Sequence, residues 1–249
     1  MGPDEEVLAG GNSSTVVREG DRVHRTAGPW TPAVHELLTT LRASGIVEVP
    51  EPHGFDDQGR EVLSFLPGDV GGYPLPEWLW DPALLEGTAR LLRRVHDASV
   101  PLAARRDLVW GLPVHEPVDV VCHNDSAPYN MTFADGRVTG LFDWDTAAPG
   151  PRIRDLAYLA YRLAPFTDDA PHLTTTDRLE RTDRLLTAYG SDAGRADLLR
   201  AMADRLDDLA AYTDERAAET GRADFVEHAA GYRRHSDHVR RLASSSSDE

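Results

Sequence analysis

The chain has 249 residues with a formal net charge of −16, 41% hydrophobic and 27% charged residues, and a single cysteine. That length can bury one large core or two smaller ones, and the lone Cys122 excludes an intramolecular disulfide framework or a thiolate metal site. No apolar run reaches membrane-spanning length, and the acidity argues against a nucleic-acid partner, which would need clustered positive charge.

The first 66 residues read as a small β-rich lobe. Thr15 to Arg18 and Arg22 to Arg25 are short strands joined by Glu19-Gly20-Asp21, a hairpin signal because glycine accepts the positive φ of a tight turn. Thr31-Pro32 predicts a helix start, with Thr31 as N-cap and the proline in the first turn. Leu37, Leu38 and Leu41 form its apolar face, and Gly45 stops it. A second hairpin is expected from His53 to Phe65, turning at Asp56 to Gly59.

Pro67 to Gly72 is a Gly/Pro-rich break and marks the expected boundary with a larger lobe over 67–242. Asp81-Pro82 caps a helix carrying Leu84, Leu85, Leu91, Leu92 and Val95 at helical spacing. A loop holding Pro101, Pro113 and Pro117 follows, then a strand over 118–122 and a hairpin from Asn130 to Phe142 around Asp135-Gly136. From Ile153 onward helices are predicted near 153–164, 174–189, 195–219 and 223–242, with a frayed tail over 243–249. The acidic start of the chain lacks a basic-then-apolar leader pattern, so the expected compartment is the cytoplasm.

The chemistry concentrates in two phrases, His123-Asn-Asp125-Ser-Ala-Pro-Tyr-Asn130 and Leu141-Phe-Asp143-Trp-Asp145. They supply a carboxylate, an amide five residues on, and a second carboxylate thirteen beyond that. A site that moves phosphate from a magnesium nucleotide to a hydroxyl needs those groups, one to take the hydroxyl proton and two to hold the metal. A lone loop aspartate is more often a turn residue than a catalyst; the set at this spacing reverses that weighting.

The whole phrase, with Pro128 inside the loop and Asp155-Leu-Ala opening a helix, resembles the aminoglycoside phosphotransferase family of small-molecule kinases. The resemblance implies a bilobal α+β protein-kinase-like fold, with a small β-rich lobe and a larger, mainly helical one. It implies Asp125 as the general base or orienting carboxylate, Asn130 and Asp143 as magnesium ligands, and ATP as phosphate donor. Gly10, Gly11, Ser13 and Ser14 loosely resemble the glycine-rich cover over the phosphates, though such a stretch is equally an ordinary turn. Ser64 and Leu66, just before Pro67-Gly68, fit the hinge whose backbone would hold adenine. Asp145 either joins the metal through water or supports the site, and Asp155 is expected to tie the catalytic loop from below.

One departure stands out: all 26 basic residues are arginine and none is lysine. Arg25 stands where the family's phosphate-gripping lysine is expected, with Arg18 its competitor across the hairpin. The helix glutamate that would pair with that lysine falls at Val34, with His35 and Glu36 adjacent, so Glu36 is the only acid on hand and the ion pair is in question. The expected acceptor is a hydroxylated small molecule, with a cationic antibiotic such as an aminoglycoside the leading class, lying near Thr167-Asp168-Asp169. That segment reads equally well as a solvated helix boundary. A rival reading is a nucleotide- or ligand-binding immunity or resistance protein with weak or no kinase activity. A protein kinase ranks last, because only eleven residues separate Asp143 from Asp155, too few for a long activation segment.

Overall fold

The computed structural model describes residues 5–8 and 16–245. The chain forms two compact units, Met1–Pro76 with Leu91–Pro151, and Glu77–Arg90 with Arg152–Glu249. They are drawn elsewhere than the expected 66/67 boundary, because strand β6 (Asp69–Val70) pairs with β8 (Met131–Ala134) and keeps the Gly/Pro-rich segment within the first unit.

The first unit holds a five-stranded antiparallel sheet in the order β1-β2-β3-β5-β4. Its strands are β1 (Glu5–Leu8), β2 (Val16–Glu19), β3 (Arg22–Arg25), β4 (Pro52–Phe55) and β5 (Glu61–Ser64). The β2–β3 turn uses Gly20 at φ +62°, as the hairpin signal requires. Helix α1 (Thr31–Ala43) buries Leu37, Leu38 and Leu41 completely, each removal from water contributing about 1.5–3 kcal/mol. Its N-cap is Trp30, without a side-chain cap bond; Thr31 is the first helical residue, and its hydroxyl accepts the Gly28 N–H instead.

Helix α2 (Pro82–Ala103) begins as expected, Asp81 accepting the Ala83 N–H, but runs through Pro101. The proline sits in the last turn of the helix, not in the following loop. Beyond it, β7 (Val120–Cys122) pairs antiparallel with β10 (Ala148–Gly150), and β8 and β9 (Arg137–Leu141) form the predicted hairpin. Asp135 and Gly136 both take positive φ at its turn, the signature of a twist-matched two-residue connection.

The second unit is helical: α3 (Arg152–Leu163), α4 (Thr175–Tyr189), α5 (Arg195–Thr220) and α6 (Ala223–Ser245). Thr174 and Asp177 form a reciprocal capping box at the start of α4, and Gly190 ends it at φ +72°. Leu185, Leu198, Leu199, Met202, Leu206 and Val239 are fully buried. No described helix is long and apolar enough to cross a membrane.

Candidate active site

Asp125, Asn130, Asp143, Asp145 and Arg25 all lie in the first unit. The loop after β7 is locked from beneath. His123 donates from Nε2 to the Phe142 carbonyl at 3.0 Å and accepts the Asp125 N–H on Nδ1 at 3.2 Å. Its ring rests on Trp144, so the histidine is a support for the loop. Asn124, at φ +64°, donates to the Thr146 carbonyl, and Thr146 donates to the His123 carbonyl at 2.8 Å. These crossed bonds fix the segment carrying Asp125 against the one carrying Asp143 and Asp145.

Both oxygens of Asp125 are engaged. The Tyr129 hydroxyl donates to Oδ1 at 2.8 Å, and the Asn130 amide donates to Oδ2 at 2.8 Å. Burial pushes the Asp125 carboxyl above its ordinary range, opposed by the bonds from Tyr129 and Asn130 and reinforced by Asp143. The same Asn130 nitrogen also donates to the Asp125 carbonyl, which orients the amide.

Arg25 joins three carboxylates. Its Nε donates to Glu61 at 2.6 Å, Nη1 to Asp143 at 2.9 Å and Nη2 to Asp145 at 2.5 Å. The guanidinium is 8% exposed, and its charge is held still more firmly than an ordinary arginine's: burial opposes it, but the three acids outweigh the burial. Arg18 stays out of the cluster, stacking over Phe65 and donating to the Gly20 carbonyl.

The acid paired with Arg25 comes from strand β5, not from α1. Arg25 and Glu61 are directly opposed in the β3–β5 register, where side chains share a face. His35 of α1 holds the other Glu61 oxygen at 3.0 Å. Val34 is core, and Glu36 bonds Arg105 on the surface. Glu61 and His35 were therefore missed by a count along the helix, because β3 and β5 are paired across an intervening helix and strand. Tyr129 was missed too; only its position beside Asn130 marked it. Gly111 is a further close approach, since a Cβ there would meet the Asp145 carbonyl at 1.7 Å.

The other expected residues fare differently. Ser64 directs its N–H to the Glu51 carbonyl, and its hydroxyl accepts the Glu51 N–H. Both of these Ser64 groups are thus engaged with Glu51. Gly10, Gly11, Ser13 and Ser14 lie outside the described residues. Asp155 lies in the first turn of α3 and is fully buried. In the second unit, Asp169 is engaged by Thr167 and Arg162, while Asp168 is exposed beside His235.

The donor set suits a hard divalent cation. Asn130 and Asp143 offer an amide and a carboxylate oxygen; Asp143 engages only Oδ1 with Arg25, and its side chain stays 47% exposed. Asp143 also takes φ +61°, a left-handed backbone that aspartate tolerates better than most residues.

Residues 102–199 match the model of the phosphotransferase enzyme family, a span that includes Asp125, Asn130 and Asp143. A trifolitoxin immunity protein of Rhizobium leguminosarum bv. trifolii is 35% identical over 198 residues, covering 75% of this chain and 74% of that protein. A choline/ethanolamine kinase family protein from Mesorhizobium loti superposes with a TM-score of 0.67 at 18% identity, over 96% of this chain and 88% of that one. An amicoumacin kinase in complex with AMP-PNP and Ca2+ superposes with a TM-score of 0.61 at 14% identity, over 95% and 89%. The fold is the α+β protein-kinase-like one, and the chain belongs to the phosphotransferase enzyme family.

Proposed function

We propose that this protein transfers the terminal phosphoryl group of ATP to a hydroxyl of a small molecule, and that the acceptor is an antibiotic or toxin. The observation that carries the reading is the Asp125–Asn130 pair set beside Asp143, with an arginine between that carboxylate and the small sheet. In the reaction the acceptor oxygen bonds to the γ-phosphorus, the bond to the ADP oxygen breaks, and the hydroxyl proton passes to the Asp125 carboxylate. Tyr129 and Asn130 hold that carboxylate in place while it receives the proton. A magnesium ion on Asn130 and Asp143 would neutralise charge on the phosphates. Arg25 would lend its fork to the same oxygens, charge-assisted bonds being roughly twice as strong as neutral ones.

A second reading, sequestration of the ligand with little or no turnover, is favoured by the immunity relative and by an Arg25 already committed to three acids. One experiment separates the two. ATP consumption is screened against aminoglycosides, other hydroxylated antibiotics, peptide toxins and metabolic alcohols, with wild type and Asp125→Ala. Acceptor-dependent ADP release lost in Asp125→Ala establishes transfer. Protection of cells that survives in Asp125→Ala, without ADP release, establishes sequestration.

A further inference from the structure

The Arg25 cluster has a property that phosphate binding alone does not explain. The guanidinium satisfies Asp143, the carboxylate that would hold the metal, together with its neighbour Asp145, and is itself anchored by the buried Glu61. Glu61 is in turn held by His35, so the arginine is fixed from behind by two further side chains. A cation arriving at Asp143 must work against a fixed positive charge bonded to one of its oxygens.

We infer that Arg25 is the resident cation of the Asp143–Asp145 pair, that it keeps free divalent metal from binding there, and that metal enters only with nucleotide phosphates that draw Arg25 off the two carboxylates. The inference rests on the phosphotransferase reading and deepens it. Metal and nucleotide then load as one unit. Three observations support this. Arg25 is the only basic group bonded to Asp143 or Asp145 among the described hydrogen bonds and ion pairs. Asp145 is largely withdrawn from water, its side chain 33% exposed, and it bonds Nη2 of Arg25 at 2.5 Å. The fork is planar and has donors to spare, so phosphate oxygens can take over the terminal nitrogens while Nε stays on Glu61.

The test is direct binding of Mn2+, measured as metal retained with the protein in equilibrium dialysis, with and without AMP-PNP and against AMP-PNP alone. Wild type is expected to take up Mn2+ only with AMP-PNP. Arg25→Met should take up one Mn2+ without nucleotide at least tenfold more tightly than wild type, and Arg25→Met with Asp143→Asn should lose that gain. Equal Mn2+ affinity of wild type and Arg25→Met without nucleotide overturns the inference. Should Arg25→Met fail to fold, wild type against Asp143→Asn decides: nucleotide-free uptake that Asp143→Asn removes overturns it, and uptake confined to the AMP-PNP samples upholds it. An absence of uptake even with AMP-PNP would overturn this inference and the phosphotransferase reading together, whereas nucleotide-free uptake by wild type that Asp143→Asn removes overturns this inference alone.

Discussion

Replacing Glu61 by glutamine is the sharpest probe of the rewired ion pair. Glu61 is fully buried, with one oxygen on Arg25 and the other on His35. Glutamine keeps the shape and one acceptor but removes the charge. Breaking a buried pair by deleting one partner costs about 3–5 kcal/mol when the other charge is stranded. Arg25 is not stranded, because Asp143 and Asp145 remain, so the expected loss is the smaller one of a charge-assisted bond, about 1.5–3 kcal/mol. For a chain of this size that lowers Tm by roughly 3–12 °C. The pH dependence carries a sign. Burial pushes the Glu61 carboxyl up, but the bonds from His35 and Arg25 outweigh it and hold the group below its ordinary value near 4.5. A depressed carboxyl contributes stability that is fully present above its unfolded value and is lost as pH falls through the folded one. The Tm gap between wild type and Glu61→Gln should therefore be full above about pH 4.5 and narrow below it. Thermal melts from pH 3 to 8, with the KM for ATP measured at neutral pH, test both. An unchanged Tm and KM would mean that Glu61 anchors nothing and that Arg25 is placed by Asp143 and Asp145 alone.

Asp143→Asn should abolish metal-dependent turnover while circular dichroism and Tm report an intact fold; full activity would move the metal elsewhere. Tyr129→Phe should cost a neutral-scale hydrogen bond, up to about tenfold in kcat, and shift the acid limb of the rate profile upward, because the phenol helps hold Asp125 ionised; a profile that does not move would make Tyr129 a packing residue. Asp125→Asn should be inactive yet raise Tm at pH 7, since a carboxyl pushed up by burial destabilises the fold once ionised, and the gain should vanish as pH falls below its unfolded value.

The elements were legible wherever local chemistry decides them. Both small-sheet hairpins, the leucine face of α1, the Asp135-Gly136 turn and the four C-terminal helices follow from turn residues and periodicity, which need no knowledge of distant partners. Strand β10, with the sequence Ala148-Pro149-Gly150, gives no such signal; it exists because β7 offers it an edge. Pro101 was misread because a proline in a last helical turn looks locally like one in a loop. At the site, the spacing from Asp125 to Asp143 was readable because those residues sit on one loop and one adjoining hairpin. The Arg25–Glu61–His35 chain was not, since it joins residues 36 and 26 apart that no short motif links.

The absence of lysine goes together with an acid on the strand, where a helix glutamate was expected. A lysine ammonium presents its three donors at the tip of the chain, so an acid that steadies it can approach from a helix in front. A guanidinium also has Nε, which lies between the fork and the backbone and donates sideways, within reach of a residue on a neighbouring strand. In this protein Nε meets Glu61 on the adjacent strand, while the terminal nitrogens reach forward to Asp143 and Asp145. Strand acid and arginine thus form a matched pair, and neither should work well without the other. Arg25→Lys keeps the charge but loses the Nε donor, so it should weaken ATP use about as much as Glu61→Gln, roughly tenfold if one charge-assisted bond of about 1.5 kcal/mol is lost. The two together should cost little more than either alone, a coupling that a double-mutant cycle on the KM for ATP measures directly. Fully additive losses would show that Arg25 and Glu61 act independently, and the matched pair would be refuted.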